Sequence, residues 1–137
     1  MVRNLMHDPL FLAQKSETAT EKDAPVARDL QDTLLAHRDN CVGMAANMIG
    51  ERKRIICFIN GFAPMTMYNP VILEKSGRYD AEEGCLSLLG GPRKCVRYQK
   101  IRVRWQDGGM KVHEGEFGGW TAEIIQHEMD HLEGILI

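Results

Sequence analysis

The run Gln126-His127-Glu128-Met129-Asp130-His131 carries the most chemistry in the chain. On an α-helix, positions i and i+4 share a face, so His127 and His131 can present two imidazoles to one metal ion. Glu128 follows the first histidine and can reach a water beside that ion without being a ligand itself. This is the HExxH arrangement of metal-dependent hydrolysis. A catalytic site of this type takes three protein ligands and keeps one position open. The third ligand is a carboxylate, another histidine or a thiolate from elsewhere in the chain. Cys85 stands out, within Glu82-Glu83-Gly84-Cys85-Leu86-Ser87. Gly84 would let the backbone pass close to an ion or ligand. A thiolate with two imidazoles suits zinc or ferrous iron.

These residues need a scaffold. The 137 residues fit one domain, 1–137. The formal charge of −2 implies no broad attraction to nucleic acid, and no direct nucleic-acid binding is expected. The basic run Arg97, Lys100, Arg102 and Arg104 reads as the solvated face of a strand. No apolar stretch is long enough to span a bilayer. Met1 to Leu12 lacks the pattern of a signal peptide, so the expected compartment is the cytoplasm. The four cysteines show no CxxC spacing and read as free thiols, with Cys57 a small buried hydrophobe.

The polar segment Gln14 to Asp23 reads as a loop. Pro25, Val26, Leu30 and Leu34 predict an amphipathic helix from Pro25 to His37. Ile55 to Asn60 predicts a buried strand, Gly61 to Pro64 a turn, and Tyr68 to Glu74 a strand with an edge or bulge at Pro70. Lys100 to Trp105 alternates as a half-buried strand. Asp107-Gly108-Gly109 turns it back into Lys111 to Phe117. A last helix is predicted from an N-cap at Thr121, with Ile124, Ile125, Leu132, Ile135 and Leu136 supplying its buried side. Strands are not alternated with crossover helices. The expected fold is therefore α+β, with antiparallel sheets packed around a C-terminal metal-binding helix and with an N-terminal helix.

Three segments in order, Cys41-Val42-Gly43-Met44-Ala45-Ala46-Asn47-Met48, Glu83-Gly84-Cys85-Leu86-Ser87 and Gln126 to His131, resemble the three motifs of the peptide deformylase family. The resemblance runs from about residue 25 to the end. It implies an α+β fold and removal of the formyl group from formyl-methionyl peptides or nascent chains. It implies that Cys85, His127 and His131 hold the metal, with Fe2+ usual and Zn2+ or Ni2+ possible. It also implies that Glu128 is the general acid/base and that the Leu86 N–H helps bind the developing oxyanion. Val42, Gly43, Met48, Gly84 and Ile124 are placed in the substrate pocket by their motif positions. Asp130 is read as structural, paired with Arg97. His7, His37 and His113 have no ligand-like partners and read as surface residues.

The first motif departs from the family at two positions. Cys41 stands where a glycine is usual, and Met48 where a glutamine is usual. A thioether cannot donate the hydrogen bond that the glutamine amide directs at the oxyanion. Losing one such donor typically costs about 10²–10³ in rate. Asn47 carries an amide, but in an extended segment it faces the opposite side, and a bulge would be needed to turn it inward. A slow hydrolase is therefore expected. The alternatives are a metal-binding pseudo-enzyme that captures N-terminal peptides and, more weakly, an endopeptidase. The end of the chain soon after the metal helix reads as a short form or a truncation.

Overall fold

The computed structural model describes every residue except Leu86, and the side chains of residues 88–90 are also outside the description. Three helices, two short 3-10 turns and five strands follow one another along the chain: α1 Pro9–Leu12, α2 Ala24–Ala36, β1 Gly43–Ala45, β2 Ile55–Asn60, β3 Ala63–Cys85, β4 Leu88–Gln106, β5 Val112–Gly118 and α3 Gly119–Leu132. The strands form one antiparallel sheet in sequential order, rather than several sheets.

The buried strand β2 divides the core. Successive side chains of a strand point to opposite faces. Ile56 and Phe58 meet Ala122, Ile124, Ile125 and Leu132 of α3 on one face. Ile55 and Cys57 meet Leu30 and Leu34 of α2 on the other. The unbroken apolar run Ile55-Ile56-Cys57-Phe58 is thus a strand covered by a helix on each side. The metal-type histidines ride on the helix that closes one of those faces.

The sequence reading of β2 coincides with the structure, and α2 is displaced from it by one residue at each end. The long hairpin differs. Strand pairing runs from Ala63 through Cys85 and back from Leu88, well beyond Tyr68 to Glu74 and Lys100 to Trp105. Residues 74–78 are exposed, so no apolar alternation marks them, and pairing with β4 keeps them extended. The register shifts between Tyr68 and Val71, which is the bulge expected at Pro70. Helix α3 begins two residues before Thr121, on a Gly118 N-cap. Ile135 and Leu136 lie past its end and are 46% and 37% exposed, so they are not part of its buried side.

Candidate metal centre

Helix α3 is fixed to the sheet by a buried amide. The Gln126 Nε2 donates to Tyr98 O at 2.8 Å, and the Tyr98 N–H donates to Gln126 Oε1 at 2.9 Å. Gln126 thereby pairs with a β4 backbone as a neighbouring strand would, and sets the roll of the helix. His127 and His131 then face each other, Nε2 to Nε2, at 3.1 Å. Cys85, at the far end of β3, brings its sulfur to them. The three ligand atoms all lie within 4.8 Å of one another.

A layer of charge supports the first histidine. His127 Nδ1 meets Glu83 Oε1 at 2.7 Å. Arg97 donates to both oxygens of Glu83, at 2.9 Å from Nε and 2.6 Å from Nη2, and from Nη1 to Asp130 at 2.7 Å. The expected Arg97–Asp130 pair is there, but Glu83 at its centre is an addition that the motif reading missed. Glu83 orients the His127 ring from its Nδ1 side and leaves Nε2 facing His131, as a carboxylate commonly does behind a metal-binding histidine. Arg97 is only 4% exposed, so it leaves the solvated basic run to which its neighbours belong. Lys100 and Arg102 do lie toward solvent, opposite Glu116 and Glu114 of β5.

Burial and these partners set the protonation states of the metal-free chain. Burial opposes a charge on His127, but hydrogen bonds to Cys85 and Glu83 outweigh it and lift the imidazolium to about 10. Burial, then His127, lowers His131 to about 3. Burial would raise Glu83, yet its bonds to His127 and Arg97 hold it well below the usual carboxylate range. Burial raises Glu128 to about 7. Its Oε1 is buried without a hydrogen-bond partner, as is Nδ1 of His131. Two imidazole nitrogens in contact, a thiol beside them and an orphaned carboxylate oxygen fit a soft divalent ion with a water on its open side.

The cavity in front of this group holds about 500 Å³. Val42, Gly43, Met48, Gly84, Cys85, Ile124, His127 and Glu128, all singled out in the sequence, line it. So do Cys41, Glu83 and the exposed Trp120, which had no assigned part. The expected Leu86 N–H lies outside the described residues. The tight approach between described protein atoms is at Gly43. A Cβ there would meet Ile124 Cγ2 at 2.8 Å and Glu128 Oε2 at 2.9 Å, whereas at Gly84 it meets no described atom within 4 Å. Glycine at 43 is what lets β1 lie against the acid/base candidate.

The two residues considered for the oxyanion role part company. Asn47 sits in a 3-10 turn, Ala46–Ile49, rather than in an extended segment. It is fully buried, and its Nδ2 donates to His131 O at 2.9 Å, away from the cavity. Met48 does reach the cavity, but its sulfur accepts from the Ala45 N–H at 3.4 Å. Of the other histidines, His7 is exposed as expected. His37 and His113 are half-buried and bond locally, His113 to Asp107 at 2.8 Å. All four cysteines are free.

The same architecture and sequence occur elsewhere. The polypeptide deformylase family model matches residues 4–137. The peptide deformylase of Clostridium beijerinckii is 52% identical over 137 residues, the whole of both chains. The crystal structure of peptide deformylase from Thermotoga maritima superposes with a TM-score of 0.88 at 30% identity, over 99% of this chain and 95% of that one. A class I type b peptide deformylase from Acinetobacter baumannii, crystallised with Met-Ala-Ser bound, gives 0.87 at 28% identity over 99% and 96%. With a full-length relative at this identity, the chain belongs to the peptide deformylase family, metal-dependent hydrolases that remove N-formyl groups.

Proposed function

We propose that the chain removes the formyl group from formyl-methionyl peptides in the cytoplasm. Cys85, His127 and His131 hold a ferrous ion in this reading, and Glu128 serves as general acid and base. The observation that carries it is the meeting of the three ligand atoms within 4.8 Å beside the unpartnered Glu128 Oε1. A bound divalent ion supplies a Lewis acid and eases deprotonation of water. Glu128 takes that proton and later hands it to the departing amine, giving formate and a free N-terminus. Glu83 keeps His127 in the tautomer that ligates, and Arg97 keeps Glu83 charged.

The peptide binds along β1. Among the described residues this strand ends the sheet, with no strand partner on one edge, and Gly43 lines the cavity. An extended peptide can add to such an edge through main-chain hydrogen bonds. Val42, Met48 and Ile124 surround its first side chain with apolar atoms, and an unbranched methionine fits such a wall. The Met-Ala-Ser complex of the Acinetobacter baumannii relative agrees with a methionyl peptide as the ligand.

Met48 favours a second reading. Its sulfur is engaged with Ala45 and donates nothing, so a metal-binding protein that captures peptides without turnover is the alternative. Formate release from formyl-Met-Ala-Ser, with iron or nickel loaded without oxygen, separates the two. Metal-dependent turnover is the expected result. Peptide binding with no formate would establish the binding module, and neither would remove both.

A further inference from the structure

Pairing phase decides which groups line the free edge of β1. The Ile59 N–H donates to Val42 O across β2, and Gly43 stands opposite Phe58 in the next pair. In an antiparallel ladder bonded and non-bonded pairs alternate. The N–H and C=O of Gly43 and Ala45 therefore point away from β2. Two of these outward groups already hold partners, and both partners are sulfur. The Cys41 thiol donates to Gly43 O at 3.0 Å, and the Ala45 N–H donates to Met48 Sδ. These are the two positions at which the first motif departs from the family. Cys41 and Gly43 line the cavity together with Glu128, whose Oε1 is buried without a hydrogen-bond partner.

We propose that Cys41 is a competing cap on the peptide-binding edge: its thiol holds the Gly43 carbonyl in the free protein and yields it to a backbone N–H of the incoming peptide. This rests on the deformylase reading above. A buried carbonyl without a partner is costly, and a thiol is a weak donor that an amide N–H can displace. The cap thus guards the edge between turnovers, and the peptide must break it to bind. Burial, with the Glu128 carboxylate second, pushes the Cys41 thiol up to about 12, so the proton needed for the cap stays in place. A glycine at this position offers no such competitor.

The effect falls on KM rather than on kcat. Cys41→Ala is expected to lower KM for formyl-Met-Ala-Ser by about threefold to fivefold, the worth of one weak hydrogen bond. Cys41→Ser, a stronger donor, is expected to raise it. The S–H stretching band of Cys41, identified by its loss in either variant, reads the cap directly. It should move to higher frequency when Met-Ala-Ser is added to metal-loaded protein. A stationary band, or a KM indifferent to both substitutions, overturns the proposal. Should no protein turn over, the dissociation constant of Met-Ala-Ser replaces KM. Failure of the activity and failure of the cap are then told apart.

Discussion

The two walls of the cavity are held by different chemistry. On the α3 side, His127 leans on Glu83, Glu83 on Arg97, and Arg97 on Asp130, all by short charge-assisted bonds. On the β1 side, the free edge is satisfied by a thiol and a thioether. Charged bonds in a buried site are strong and orienting, and removal of one partner leaves an uncompensated charge. Sulfur contacts are weak, so that wall can open for a peptide or accept substitution at small cost. The α3 wall, where a metal is proposed, is therefore built to stay, and the β1 wall, where a peptide is proposed, is built to exchange.

Four substitutions test that contrast. Glu128→Gln should cost the most, about 10²–10⁴ in kcat for formate release, because no other described carboxylate lies beside the ligand set without a partner. The same change should stabilise the metal-free protein at neutral pH and above. A carboxyl raised from 4.5 to about 7 keeps its proton longer when folded, so its burial lowers stability as pH rises through that window. The gain should be absent below the ordinary carboxylate range. It should be complete above pH 7, on the order of 3 kcal/mol in a denaturant titration. A gain that does not vary with pH would show that Glu128 is not desolvated.

Glu83→Gln should weaken metal binding by about 10–100-fold in a chelator competition, as loss of a partner behind a ligand does. It should also destabilise the fold by roughly 3–5 kcal/mol, since Arg97 is left buried with only Asp130. If both measurements stay within error, the charged wall is decoration and the comparison fails. Gly43→Ala comes next. Its Cβ would press on Ile124 and Glu128, and forcing an extra carbon into packed space costs about 1–3 kcal/mol. The thermal midpoint and kcat should fall together. A variant with unchanged activity would mean that β1 can move off α3.

Met48→Gln should act in the opposite direction. The glutamine oxygen can take over the Ala45 N–H, leaving its amide N–H groups free for the cavity. One oxyanion donor is worth about 10²–10³ in rate, which caps the expected rise in kcat. No rise would mean that the oxyanion is already served by the metal and by the backbone near Cys85.

Much of this was legible in the sequence because it depends on local spacing. The i, i+4 histidines, the strand Ile55 to Asn60 and the Asp107-Gly108-Gly109 turn are each set by a few adjacent residues. The long β3–β4 hairpin was not, because its exposed middle carries no apolar alternation and pairing with the partner strand holds it. Nor was the turn at Ala46–Ile49. Asn47 and Met48 read as alternating sides of an extended segment, whereas the 3-10 turn sends Asn47 to His131 and Met48 to the cavity.

By itself, the sequence picked out the candidate ligand set and the candidate acid/base residue through its motifs, and the α+β order of elements through helical and strand periods, which assign faces without knowledge of partners. Tertiary structure alone decided that Glu83, rather than only Asp130, receives Arg97, that Gly43 packs tightly against Ile124 and Glu128, and that two sulfurs cap the edge of β1. Each of these is a contact between segments distant in the chain or a consequence of strand register, and register is fixed only when the whole sheet is paired.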